Sequence, residues 1–241
     1  MQNNSFFHSA RNLTGKASPC KELALTAALF LLPSLIASPQ PDGSEFNNPR
    51  FLLLTMTHGA AQAALLLYLV THIGQRRPAD YSILPVKPRH LLFGLLAGLP
   101  IFPLLLLLSL ALAELPPEYL TAALPPFRWT YTNYSLLPLL LPACLATGLW
   151  EELYFRAYLP AELHRLGAPP GLALLAPAGL FAALHIYEGP TGFAAALLLG
   201  LYFSWVLRAA KNITVPVITH AFYNLTVLLA SGPLSAMEKY L

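Results

Sequence analysis

The sequence predicts an all-α fold, a polytopic bundle of transmembrane helices. Of its 241 residues, 56% are hydrophobic and only 10% are charged, whereas soluble domains carry about 25% charged residues. The mean hydropathy is +0.57, and apolar runs recur that are long enough to cross a bilayer, which takes about 20 residues. We therefore interpret residues 1–241 as a single integral membrane domain. A net charge of +3 is too small to indicate nucleic-acid binding, so the expected partner is the lipid bilayer.

About seven segments are predicted to span the membrane, and the count could rise to eight. The segment nearest the N-terminus resembles a signal peptide, but Pro39 falls where a small-residue cleavage site would have to lie. We therefore interpret this segment as a retained anchor. The fifth and sixth segments are short and rich in Gly, Ala and Pro, which predicts tilted, interrupted or tightly packed helices. The seven segments are residues 23–39, 51–73, 90–113, 136–160, 171–187, 192–209 and 213–231.

The loop charges predict a cytosolic N-terminus. With that orientation, and with Arg156 set aside, ten lysines and arginines lie on the cytosolic side and three on the opposite side, as the positive-inside rule requires. The bias towards arginine, alanine and leucine is compatible with a GC-rich prokaryotic genome, so we expect the cytoplasmic membrane of a prokaryote. The ten are Arg11, Lys16, Lys21, Arg76, Arg77, Lys87, Arg89, Arg165, Arg208 and Lys211; the three are Arg50, Arg128 and Lys239.

Two adjacent glutamates in the stretch WEELYFR are unusual in so apolar a chain. Of eleven acidic residues, only Glu151 and Glu152 lie deep inside a predicted span, where a charge costs about 2.5–3.5 kcal/mol on insertion scales. Glu152 and Arg156 are four residues apart, about 40° on an α-helix, which favours a structural salt bridge. Glu151 points about 100° away from Glu152 and has no such partner in its own helix. Another segment must supply one.

Two later segments offer polar side chains for Glu151. In FAALH, Phe181 and His185 share one face of the fifth predicted span, and in HAFYN, His220 and Asn224 share one face of the seventh. A lone histidine in an apolar helix is more often a packing residue. Two histidines, an asparagine and an unpaired glutamate within the C-terminal hundred residues instead indicate one shared polar site.

The depth of these residues in the bilayer limits the shared-site hypothesis. If the fifth helix is centred near residue 182, Glu151 and His185 lie within about 5 Å of the same level at 1.5 Å per residue. A helix that begins at Pro170 is expected to carry His185 too far towards the outer face. The sequence leaves both arrangements open.

Together the three motifs resemble those of the CPBP family, which groups CAAX prenyl endopeptidases with bacteriocin-processing and Abi proteins. EELYFR matches EExxxR, FAALH matches FxxxH, and HAFYN matches HxxxN, in that order on successive spans. The resemblance covers roughly residues 136–231, the predicted catalytic core. It implies an intramembrane endopeptidase that cuts a membrane-anchored protein or peptide.

The same resemblance implies a role for each motif residue. Glu151 would be the general base, and His185 would help to orient and deprotonate the attacking water. His220 and Asn224 would donate hydrogen bonds to the oxyanion, a role that suits a neutral, fixed amide donor. The residues expected to support the helix and aim Glu151 are Glu152 and Arg156.

A zinc centre is the alternative mechanism, with Glu151, His185 and His220 as ligands of the His₂Glu type. Two points count against it: Asn224 is a poor zinc ligand, and Glu152, the carboxylate left to act as base, is better explained as the partner of Arg156. In addition, no HExxH motif is present. We therefore favour a site without a metal or other cofactor.

Three further questions stay open at this point. A non-catalytic immunity or scaffold protein could retain the fold, and a proton-coupled transporter could use intramembrane Glu and His residues, although no internal repeat indicates one. The substrate could carry a prenylated CAAX end, a leader peptide or a C-terminal sorting signal. The oligomeric state is not encoded in any motif.

Overall fold

The computed structural model describes residues 19–36, 43–116 and 129–237. Within these residues the chain is helical and contains no β-strand, so the predicted all-α class is confirmed. Four of the charges used to predict the topology lie outside the described residues: Arg11, Lys16, Arg128 and Lys239.

Nine α-helices follow one another in the described parts of the chain. They are α1 (Pro19–Ile36), α2 (Pro49–Tyr68), α3 (Pro88–Gly98), α4 (Ile101–Ala113), α5 (Leu137–Glu151), α6 (Leu159–Arg165), α7 (Pro170–Ala183), α8 (Gly189–Ala210) and α9 (Thr214–Met237).

Five helical stretches of the described chain are long and apolar enough to cross a membrane, so the protein is an integral membrane protein. Helix α7 is apolar but shorter, and α1 occupies most of the first predicted span. The exact number of spans and the orientation of the N-terminus therefore stay predictions. The five stretches are Pro49–Ile73, Pro88–Ala113, Tyr134–Arg165, Ile186–Ala210 and Thr214–Leu234.

The motif EELYFR begins at Glu151, the last residue of α5, and continues in π-helical turns within a single long helix, Tyr134–Arg165. These turns, Glu152–Tyr158, join α5 to α6, and the Leu159 N–H bonds to the Tyr154 carbonyl, five residues earlier. The assumption of regular α geometry here was therefore wrong. A π turn contains more residues than an α turn, so successive side chains are separated by less than about 100°. Glu151 and Glu152 themselves keep α-helical dihedral angles, so these two side chains still diverge by about 100°.

Small residues let neighbouring helices approach the long helix closely. Helices α2 and α9 both pack against α5. A Cβ atom on Gly148 would lie 3.1 Å from the Val217 carbonyl oxygen and 3.4 Å from the Cβ of His220. This glycine therefore allows α9 to bring His220 against the long helix, one turn from the motif glutamates.

One end of the bundle is closed by charged side chains, and we call it the ion-paired end. Arg76 pairs with Glu22 at 2.9 Å and also contacts Glu162, while Arg165 pairs with Glu162 at 3.0 Å. The hydroxyl of Tyr81 donates to the same Glu162 carboxylate at 2.6 Å. These contacts connect α1, the segments that follow α2, and α6.

The opposite end is organised by Asn47, and we call it the Asn47 end. The side chain of Asn47 donates to the Thr130 carbonyl at 2.7 Å and accepts from the backbone N–H groups of Thr132 and Asn133 at 2.7 and 2.9 Å. At the same end, the indole N–H of Trp129 donates to Glu188 at 3.4 Å. These contacts fix the chain that enters the long helix.

The contact between α2 and α5 predicts the effect of one glycine substitution. A Cβ on Gly59 would lie 2.6 Å from the Ala146 carbonyl oxygen, so Gly59→Ala should destabilise the protein by about 1–3 kcal/mol through overpacking. Thermal unfolding in detergent measures the change. The control is Gly179→Ala, because nothing lies within 4 Å of the added methyl group there. Equal unfolding midpoints for both variants would show that α2 and α5 are not this close.

Candidate active site

A cavity of about 300 Å³ lies between the long helix, the end of α7, and helices α8 and α9. All four residues predicted to act in catalysis line it: Glu151, His185, His220 and Asn224. Much of the remaining wall is aromatic, from Phe46, Phe51, Trp129, Phe181, Tyr187, Phe203 and Tyr223. The structure thus brings together polar groups from three separate segments inside an apolar wall.

His220 contacts both motif glutamates. Its Nδ1 lies 2.7 Å from Oε1 of Glu152, and its Nε2 lies 3.6 Å from Oε2 of Glu151. Because an ionised carboxylate only accepts hydrogen bonds, Nδ1 carries a proton and donates to Glu152. The ring therefore presents Nε2 to Glu151. The second distance exceeds that of a direct hydrogen bond, so Glu151 is left able to bind another group.

Arg156 neutralises Glu152 through the carboxylate oxygen that His220 does not contact. Its Nε lies 3.4 Å from Oε2 of Glu152, which is fully buried. The guanidinium carbon lies 4.0 Å from the centre of the Phe181 ring and 5.4 Å from that of Phe203, so cation–π attraction helps to hold the charge. Its two terminal nitrogens have no hydrogen-bond partner among the described residues. The predicted contact between Glu152 and Arg156 is present despite the π turns.

Phe203 and Phe181 fix the orientation of His220. The Phe203 ring stacks on the imidazole with centroids 4.9 Å apart and planes 19° apart, and Phe181 meets it edge-on at 6.3 Å. Phe203 was not predicted as part of the site, because nothing in GLYFSW distinguishes a ring on a functional histidine from an ordinary packing aromatic. Both rings also exclude water from one side of the imidazole.

His185 lies just beyond the end of α7, and its tautomer is fixed. Its Nδ1 is 2.8 Å from the Phe181 carbonyl, which can only accept, so Nδ1–H donates and the neutral ring keeps Nε2 as an acceptor. Helix α7 does begin at Pro170, the arrangement in which His185 was expected to lie too far out. That expectation was wrong, because the helix ends at Ala183 and the cavity extends to this level.

Two other residues of the cavity wall escaped the sequence analysis. Glu188 lines the cavity and accepts a hydrogen bond from Trp129. Thr55 lines it from α2. Neither belongs to a motif. The one available signal was that Glu188 is an acidic residue only three positions after His185.

The alternative zinc site gains no support from these side chains. In the described parts of the chain, no group of three or more His, Cys, Asp or Glu residues is arranged to hold a metal ion. The proposed ligands Glu151, His185 and His220 line the same cavity without meeting that arrangement.

A glutamate–histidine cluster that opens into a cavity within a helical membrane protein is the arrangement expected of an intramembrane hydrolase. Residues 133–226 match a family described as type II CAAX prenyl endopeptidase Rce1-like. This match confirms the CPBP, or CAAX protease, resemblance predicted from the three motifs, and the family implies protease activity. No curated protein and no solved structure gives a significant match.

Replacing either of the two adjacent glutamates by glutamine should change the free energy of unfolding by different amounts. Glu152 is fully buried and contacts both His220 and Arg156, so Glu152→Gln should cost about 3–5 kcal/mol by leaving buried charge unpaired. The Glu151 side chain is 13% exposed and has no contact as short. Glu151→Gln is therefore the matched control, with little expected change. Unfolding in detergent compares the two, and similar losses would contradict this division.

Proposed function

We propose that this protein is an intramembrane endopeptidase that hydrolyses a peptide bond of a membrane-associated protein or peptide without a metal ion. The observation that carries the proposal is that Glu151, His185, His220 and Asn224 line one cavity, where Glu151 has no direct hydrogen bond to His220. The family match supports the protease class. We also propose the cytoplasmic membrane of a prokaryote as its location, on the basis of composition.

The first step is the orientation of one water molecule. Neutral His185 offers a lone pair on Nε2, because its Nδ1–H is used by the Phe181 carbonyl. The Glu151 carboxylate also accepts hydrogen bonds, so these two acceptors can take both hydrogens of the same water. The oxygen lone pair is then free to attack the substrate carbonyl carbon. Glu151 takes a proton as the new C–O bond forms.

The second step requires a donor for the negative oxygen that develops. His220 donates through Nδ1 to Glu152, and in the proposed resting state a second proton on Nε2, taken up from solvent before substrate binds, makes it a cation. Before attack, the Glu151 and Glu152 carboxylates balance this imidazolium and the Arg156 guanidinium; once Glu151 has taken the proton of the water, the oxyanion replaces its negative charge. The Nε2–H of His220 and the amide of Asn224 donate to the oxyanion, which lowers the barrier in this apolar setting. Glu151 finally passes its proton to the leaving amine as the C–N bond breaks.

The general-base role of Glu151 predicts a loss of turnover without a loss of fold. Because the amide cannot accept the proton, Glu151→Gln should slow cleavage by about 10²- to 10⁴-fold. The measurement incubates purified protein with the membrane fraction of a strain that lacks the gene and counts new peptide termini by mass spectrometry. Thr226→Val, on the same helix as His220 and bonded only to a backbone carbonyl, is the control. Wild-type turnover by folded Glu151→Gln would remove the proposal.

The metal-independent mechanism predicts resistance to chelation. Dialysis against a strong zinc chelator should leave the same cleavage intact, because Glu151 and His185 activate the water directly. Metal analysis of the active protein should give less than one equivalent of zinc. A zinc peptidase treated in parallel shows that the chelation was effective. Activity that disappears and returns with added zinc would establish the metal mechanism instead.

A further inference from the structure

The cavity extends from the glutamate–histidine cluster towards one end of the bundle. Its lining residues on α2 are Phe51 and Thr55, close to the start of that helix, and its walls include Trp129 and Glu188 at the Asn47 end. None of the residues that form the ion-paired end lines it. The space next to Glu151 is therefore continuous with the Asn47 end.

On the side of the ion-paired end, the interior of the bundle is filled by packed aromatic rings. Phe30 stacks on Tyr154 at 5.0 Å, Tyr154 on Tyr158 at 5.9 Å, and Tyr158 on Tyr81 at 6.0 Å. Tyr81 then donates to Glu162 in the ion-paired end, where burial and the Glu162 carboxylate raise the pKa of this tyrosine. The hydroxyl therefore stays protonated at neutral pH and maintains the hydrogen bond that closes this end.

Basic residues identify the side of the membrane on which each end lies. With the buried Arg156 set aside, eight of the nine lysines and arginines in the described residues lie at the ion-paired end or in the loops beside it, and Arg50 lies at the other. The loop at 82–85 and the turn before α9 belong to the same end, because Ile213 N–H bonds to the Ser82 carbonyl. Such an excess marks the cytosolic face.

We propose that the active-site cavity opens on the extracytoplasmic face of the membrane. This inference rests on the proposed peptidase function and specifies its substrate class: a membrane-anchored protein whose cleaved segment lies at the outer surface. A lipidated C-terminus displayed in the cytosol would meet the closed, ion-paired end. The aromatic wall suits apolar residues around the cleaved bond, and among the described residues no lysine or arginine lines the cavity to pair with an acidic segment.

Cysteine chemistry tests the direction of opening. The chain has two cysteines, Cys20, which is exposed next to Glu22 of the ion-paired end, and Cys144, which is buried in the cavity wall. The first protein carries Cys144→Ala and keeps Cys20 as a reporter of the ion-paired end. The second carries Cys20→Ser, Cys144→Ala and Thr55→Cys, a conservative replacement in the cavity. Intact cells that express either protein are treated with a small, charged, membrane-impermeant methanethiosulfonate, before or after permeabilisation.

We expect the Thr55→Cys protein to gain the mass of one adduct in intact cells, and the Cys20 protein to gain it only after permeabilisation. Reaction of Thr55→Cys only after permeabilisation, no reaction in either state, or reaction of Cys20 in intact cells would each overturn the proposal. Size-exclusion profiles that match the wild type show that both proteins are folded. Labelling needs no turnover, so an inactive protein labelled from outside would overturn the peptidase function alone.

Discussion

The contact between His220 and Glu152 is the interaction on which the arrangement of the site depends. A carboxylate in the apolar interior of a membrane protein must be neutralised and hydrogen-bonded, and Glu152 meets both requirements through His220 and Arg156. The same bond joins the long helix to α9 and turns Nε2 of His220 towards Glu151. The chemistry proposed for Glu151 thus depends on a neighbouring glutamate that does not line the cavity.

Local backbone geometry makes this contact possible. In regular α-helix, adjacent side chains diverge by about 100°, and a single imidazole would meet one of the two glutamates more easily than both. His220 meets both because its two ring nitrogens face different carboxylates, and Gly148 lets the backbone of α9 come close. Phe203 and Phe181 then hold the histidine and the guanidinium by their faces. The polar cluster is therefore held in place by aromatic rings as well as by its own ion pairs.

The two ends of the bundle differ in whether they let water reach the site, and the cost of exposing apolar surface explains the difference. Water must reach a hydrolytic site, yet every open path exposes apolar surface and backbone to it. Here one path is occupied by stacked tyrosines that end in an ion-paired network. The other is left as a cavity with an aromatic wall. Because the ion-paired end is closed in the described part of the chain, water can reach the site only from the Asn47 end.

The sequence by itself determined the helical class, the membrane setting and the motif residues, because hydropathy and the cost of a buried charge are properties of each segment alone. Helical spacing also predicted the contact of Glu152 with Arg156 inside one helix. Only the tertiary structure decided that His220 contacts both glutamates, that Phe203 stacks on it, and that His185 reaches the cavity from a helix ending at Ala183. These depend on helix ends and close approaches between helices, for which the periodicity of a single segment carries no signal.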